Sequence, residues 1–304
     1  MKTNRLVAVL ALVLATACLD FEKQTMTARY YEKTDTMVIL QHYEGIFGSS
    51  KGRGLSGSER EELNGLLNGQ RTYFFDNWLT VYDPDQIKEA IVEAKAEIAK
   101  GDAEVDGAIV ERQIVLFKLL LANVKSVSGP FYLNQDGKLS AMQQVTIRNV
   151  QKILKAANVC LRDSVLAEAN KANKGDLDDA SLALLRIAAG RDHDFIQLKG
   201  NQLRVRLPMT GKGFKKIFHG KDNIGGELAK RLVKVVHADE LARLTLGQPK
   251  AAHIEMSVSS EEKEYLPNAV ETVRVLKGLA KDFDPAKYKR KFFADTDKKY
   301  SGKR

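Results

Sequence analysis

The chain has little cysteine, proline or tryptophan: 2 Cys, 6 Pro and 1 Trp in 304 residues. Two cysteines cannot build a disulfide framework, and Cys18 and Cys160 lack the paired spacing of a structural zinc site. The low proline count and 22 glycines exclude a collagenous or low-complexity chain, and 44% hydrophobic residues exclude a disordered one. The longest apolar stretch, even extended from Leu6 to Leu19, is 14 residues, short of the roughly 20 that a helix needs to cross a bilayer. No repeat period is present. What remains is a packed domain held together by burial.

Complete catalytic motifs are also missing. Gly48 to Gly57 is glycine-rich, but no Gly-Lys-Ser/Thr closes it at a helix start, so it reads as a solvent loop and not a phosphate cradle. Gly54-Leu55-Ser56-Gly57 has the wrong order for a nucleophile elbow, and no His-Glu-x-x-His occurs. Asn134-x-Asp136-Gly137 brushes against a calcium loop, yet Tyr132 and Gln143 stand where carboxylates are needed. No metal site and no cofactor is expected.

The N-terminus carries a definite pattern. Lys2 and Arg5 precede the unbroken apolar run Leu6–Ala15, and Thr16-Ala17-Cys18 follows, which is the layout of a signal peptide. Leu14-Ala15-Thr16-Ala17-Cys18 resembles the lipobox of bacterial lipoproteins, with Ala15 where that family most often has Leu. The resemblance covers 18 residues and implies that Cys18 is acylated and becomes the mature N-terminus. Leu19, in place of the Asp that retains such proteins in an inner membrane, points to the outer membrane of a two-membrane envelope. Ordinary cleavage at Ala15-Thr16-Ala17 is the alternative. Several acyl chains, at roughly 0.8 kcal/mol per buried CH₂, would hold a soluble domain stably at the membrane. With Cys18 acylated, Cys160 is the remaining thiol, and its apolar helical surroundings read as burial.

Residues 1–17 are thus expected to be a signal peptide, 18–25 a lipidated cysteine with a short polar tether, 26–285 one α+β domain, and 286–304 a basic tail. Met26–Tyr31 and Thr36–Tyr43 suit an opening β-hairpin. Ser58-x-x-Glu61 is a capping box before Leu63, Leu66 and Leu67, and a helix runs from Asp83-Pro84 to Gly101. Ala108–Val127 reads as strand from its Val and Ile content, followed by a hairpin turning at Asp136-Gly137. Asn149 and Asp176 can each cap a helix, the second spanning Leu177–Ala189. The clearest hairpin is Phe195–Lys199, Gly200-Asn201, Gln202–Leu207, ended by Pro208. Helices are expected over Asn223–Val236, Asp239–Leu246 and Asn268–Phe283, with a strand at Ile254, Met256 and Val258. Strands and helices come in blocks, which argues for antiparallel hairpins packed with helices.

Charge is unevenly spread. The whole chain carries +9, and residues 204–234 hold nine Lys/Arg against Asp222 and Glu227, while residues 277–304 hold ten against four acids. Arg204 and Arg206 alternate with Leu203, Val205 and Leu207, and Lys212, Lys215 and Lys216 follow, so these five are candidate contacts for an anionic ligand. Export makes nucleic acid an improper partner. Anionic lipid, lipopolysaccharide, a wall polymer or an envelope protein fits the compartment. The competing function is a hydrolase using Asp192, His193 and Asp194, placed between a helix stop and a strand, with His237 and Glu240 brought in by folding. A non-catalytic envelope lipoprotein is the preferred reading, because every catalytic motif is incomplete.

Overall fold

A computed structural model describes residues 19–48, 55–74, 80–100, 106–171, 186, 189, 194–210, 241–259, 268–276 and 278–302. Strands β1 (Leu19–Tyr31) and β2 (Thr36–Gly48) precede helix α1 (Gly57–Leu67), short strands β3 (Thr72–Phe74) and β4 (Thr80–Tyr82), and helices α2 (Pro84–Lys100) and α3 (Gly107–Asn123). Strands β5 (Val124–Leu133) and β6 (Leu139–Arg148) lead to helix α4 (Val150–Lys171). Strands β7 (Ile196–Lys199), β8 (Gln202–Thr210), β9 (Leu241–Gly247) and β10 (Ile254–Ser259) follow, then helices α5 (Asn268–Leu276) and α6 (Pro285–Tyr300). Hairpin pairs β1–β2, β5–β6 and β7–β8 are antiparallel, as is β2–β6, so the chain is an α+β protein on antiparallel sheets.

The chain forms two compact units where a single domain is expected. One takes the described residues of 1–87, 123–148 and 255–304, and the other those of 88–122 and 149–254. The first holds a five-stranded sheet of order β10-β1-β2-β6-β5 and the β3–β4 pair. Tyr43, Phe131, Leu139 and Ala141 pack with Leu63, Leu66 and Leu67 of α1, Tyr73 of β3, and Ala269, Val270 and Val273 of α5. Tyr31, Val38, Leu40, Tyr132 and Met142 lie instead against Phe292 and Phe293 of α6. These two residue sets alternate along the strands, so each face of the sheet has its own cover. Gly45, at φ +66, breaks the alternation and lets Ile46 join Tyr43 in one cluster.

Buried amides stitch β3 onto this sheet. The Tyr43 hydroxyl accepts the Tyr73 N–H at 3.2 Å and lies 3.0 Å from Gln143 Oε1, to which it donates. Gln143 Nε2 donates to the Arg71 carbonyl at 2.6 Å, and Gln24 Nε2 donates to Gln41 Oε1 at 3.2 Å and to the Tyr73 carbonyl. Burial holds the Tyr43 phenol far above its ordinary pKa, so it stays neutral and available as a donor.

Several expectations give way to tertiary structure. The expected tether is strand: Leu19 and Phe21 are 0% exposed, and the Leu19 N–H donates to Glu62 Oε2 at 2.8 Å. Nor do the described residues of 286–304 form a tail. Asp284 caps α6 by accepting the Lys287 N–H at 2.9 Å, and Arg29 pairs with Asp297 beside buried Phe293. Ala108–Val127, expected as strand, is mostly α3. Asp106 accepts the Ala108 and Ile109 N–H groups at 3.0 and 3.3 Å, and the buried residues Val110, Gln113 and Ile114 follow helical spacing.

The capping box uses Ser56 and Glu59, two residues earlier than expected, which lengthens α1. Of the residues expected as the helix Asp239–Leu246, those from Leu241 onward form β9, because Leu244 and Leu246 pair with Val205 and Leu203 of β8. β8 continues past Pro208 to Thr210, with a register irregularity after Arg206. Helix α5 stops at Leu276, and Gly278 at φ +69 returns its N–H to the Val273 carbonyl at 3.0 Å. The expected loop Gly48–Gly57, whose ends belong to β2 and α1, and the helices at Leu177–Ala189 and Asn223–Val236 fall wholly or mostly outside the described residues.

In the second unit, Arg112 of α3 pairs with Asp163 of α4 at 2.6 Å. Asn158 of α4 donates to the Ile196 carbonyl at 2.8 Å and accepts its N–H at 2.7 Å, satisfying backbone groups at the edge strand β7. Leu161, Val165 and Phe195 pack beside this clasp. Cys160 is buried, and burial pushes its thiol up to about 11, which leaves it unreactive at neutral pH.

The strand character of residues 19–25 is testable. Phe21→Ala should cost about 3–5 kcal/mol, read as a lower urea midpoint for the domain, since the ring is buried against Tyr43 and Tyr73 at 4.8 and 5.3 Å. A change within error would mean that residues 19–25 are a tether after all.

Candidate functional site: a cationic sheet face

The β7–β8–β9 sheet separates its residues by the period of two. Ile196, Leu198, Leu203, Val205, Leu244 and Leu246 pair among themselves across the three strands. The alternate positions pair Gln197 with Arg204 and Thr245, Lys199 with Gln202 and Gly247, and Arg206 with Arg243. One face is therefore apolar. The other carries Lys199, Arg204, Arg206 and Arg243 without a carboxylate in any paired position.

The turn that makes this face cannot be built by most residues. Gly200 sits at φ +52, and a Cβ there would lie 2.3 Å from the Pro249 carbonyl oxygen. Only glycine fits so close a backbone approach. Asn201 beside it donates from Nδ2 to the Ala251 and Ala252 carbonyls at 2.9 and 3.2 Å, tying the hairpin tip to the segment after β9.

Electrostatically the face is unrelieved. Arg204 is exposed, and its Nε donates to the neutral Gln202 Oε1 at 2.9 Å. Arg206 and Arg243 stand directly opposite on neighbouring strands, a pairing that brings Cβ atoms to within about 5 Å and repels when the charges are alike. Among the described residues, none of these four cations forms an ion pair. Three of them are arginines, whose planar fork matches phosphate or carboxylate in a bidentate way. Gln197, Gln202 and Thr245 add neutral groups on the same face.

Of the residues singled out from sequence, Arg204 and Arg206 share this face as their alternation requires. Lys199 and Arg243 are additions, and Arg243 was hidden because β9 read as helix. Lys212, Lys215, Lys216, Cys18, Asp192, His193, His237 and Glu240 lie outside the described residues, and Asp194 is exposed at the entry to β7. No three His, Cys, Asp or Glu side chains converge on a metal position among the described residues. No helix among them is long and apolar enough to cross a membrane.

Sequence reasoning missed a second constellation in the first unit. His42 Nε2 lies 2.6 Å from the Tyr132 hydroxyl, its Nδ1 lies 3.7 Å from Glu44 Oε2, and Glu44 pairs with Lys23 at 3.2 Å. The His42-x-Glu44 spacing on one strand face was the available signal; the Tyr132 contact comes from β5, two strands away. Burial lowers the His42 pKa, and Lys23 and Lys289 lower it further against the opposing pull of Glu44. Burial, with the Glu44 charge, pushes the Tyr132 phenol up to about 12. A neutral imidazole thus clasps a neutral phenol, with Phe283 packed on the tyrosine at 4.5 Å between ring centres.

This clasp makes stability depend on pH. A histidine whose folded pKa is depressed contributes fully above its unfolded value near 6.5 and loses that contribution as pH falls through 6.5 towards the folded value. His42→Gln should flatten the decline of the unfolding midpoint between neutral and mildly acidic pH. An unchanged slope in calorimetry would remove His42 as its source.

Compared with protein-family models, curated proteins and solved structures, the chain matches none of them.

Proposed function

We propose that the chain is a membrane-anchored envelope lipoprotein, non-catalytic, that binds an anionic envelope component through the β7–β8–β9 face. The observation that carries this reading is the juxtaposition of Arg206 and Arg243 with Arg204 and Lys199 beside them, and, among the described residues, no carboxylate paired to any of the four. Like charges held directly opposite cost stability; an anion bridging them would return it. The lipobox supplies the location, since Cys18 acylation would keep the domain beside headgroups and surface polymers.

Each basic group near an anionic surface contributes about 1 kcal/mol. Attraction between exposed charges is screened over about 8–10 Å at physiological salt, so binding should weaken as salt rises. The basic segment 277–304 contributes less to such binding than its count of cations implies: Lys289 pairs with Glu255, and Asp295 and Asp297 lie on the same helix.

Two measurements test the proposal. The chain from residue 19 onward should co-sediment with vesicles containing phosphatidylglycerol at low salt, and Arg204→Ala/Arg206→Ala/Arg243→Ala should weaken this by roughly a hundredfold, about 3 kcal/mol. Equal binding by wild type and triple variant would show the face to be ordinary solvated surface. Separately, fatty-acid labelling of the full-length chain in a bacterial host should mark the wild type and not Cys18→Ser. Label in both, or in neither, would sink the anchor.

A further inference from the structure

We infer that the five-stranded sheet meets the membrane end-on, with the β5–β6 turn beside the headgroups and the β1–β2 turn directed away from them. The inference rests on acylation of Cys18 and deepens that reading by naming the surface that faces lipid. Its starting observation is that no linker separates Cys18 from the fold. Leu19 is fully buried, is paired with Gly48 at the end of β2, and has its N–H held by Glu62. Consecutive Cα atoms are about 3.8 Å apart. An acyl chain on Cys18 therefore begins where the sheet begins.

Strand directions decide which other residues share that end. β1 leaves it and β2 returns to it, as the pairing of Leu19 with Gly48 and of Tyr31 with Thr36 shows. β6 runs antiparallel to β2 from Leu139, and β5 arrives beside it at Leu133. Continuing the β2–β6 register past Tyr43 and Ala141 brings the turn at Asp136-Gly137 level with Gly48 and Leu19. An ion pair between Lys138 and Glu22 ties that turn to the start of β1. Gln135, Asp136 and Gly137 are exposed there, and Leu133 is 37% exposed. The opposite end, at Glu32–Thr34, is one 13-residue strand away, about 40 Å at 3.3 Å per residue.

A sheet laid flat on the bilayer is the competing arrangement. It is disfavoured because both faces are covered, one by α6 and the other by α1, β3 and α5. The face that α6 turns outward is basic, with Lys287, Arg290, Lys291 and Lys298 exposed, so a flat contact through α6 has a definite signature of its own.

The experiment uses the full-length lipidated protein with Cys160→Ala, carrying Asp136→Cys, Lys33→Cys or Lys291→Cys labelled with a fluorophore. Each is reconstituted in phosphatidylethanolamine/phosphatidylglycerol vesicles containing a brominated lipid as quencher. Emission should be lost at 136 and unchanged at 33 and 291. Inserting a flexible twelve-residue Gly/Ser linker between Cys18 and Leu19 should restore emission at 136. Quenching at 291 in place of 136, equal emission at all three sites, or quenching at 136 that survives the linker overturns the orientation. Mass spectrometry of the same samples separates the two failures: an unmodified Cys18 ends both readings, whereas an acylated Cys18 with the wrong quenching pattern ends only this one.

Discussion

The pairing of β1 with β2 is the constraint on which the first unit depends. Twelve residue pairs from Leu19–Gly48 to Tyr31–Thr36 hold one register throughout. A slip by one residue would turn Gln24 of β1 and Tyr43 of β2, which this register pairs on one face, to opposite faces of the sheet. The buried polar seam makes such a slip costly. Tyr43, Gln24 and Gln143 satisfy the backbone of Arg71 and Tyr73 only in this register, and an orphaned buried donor or acceptor costs about 1–3 kcal/mol. Hydrophobic burial on both faces supplies the driving force, and the amides select the alignment.

Charge follows a different logic in the two units. In the first, cations meet carboxylates: Lys23 with Glu44, Arg29 with Asp297, Arg71 with Asp83, Lys138 with Glu22 and Lys289 with Glu255. Pairs of this kind are worth little on a surface, but they cancel the charge of those five cations. The β7–β8–β9 face of the second unit has no such cancellation among the described residues. Cations in the two units thus have unequal consequences, and a charge count along the chain cannot distinguish them.

Local signals were legible wherever the physics is local. The Gly200-Asn201 hairpin, the Asp136-Gly137 turn, the helix start at Asp83-Pro84 and the burial of Cys160 each follow from a few adjacent residues. The α+β class followed from blocks of such signals. Errors fell where two local readings compete. Ala108–Val127 is rich in β-branched residues yet becomes mostly helix, because Asp106 caps it and its buried residues fall three and four apart. Leu241–Gly247 has helix-compatible composition yet becomes strand, because β8 offers an open edge to its Leu244 and Leu246. The Arg243 side of the candidate site was lost with that misreading.

By itself the sequence determined the antiparallel hairpin architecture and the alternation that segregates Arg204 and Arg206 from Leu203 and Val205. These depend on period and on turn chemistry, which neighbouring residues settle. Only tertiary structure decided that residues 19–25 are a buried strand, that the basic C-terminal segment is a docked helix, and that Arg243 stands opposite Arg206. Each of those outcomes depends on a partner more than thirty residues away or on a packing face made by several elements together. Composition cannot report such contacts, because the free energy that fixes them comes from surfaces that exist only after the chain has folded.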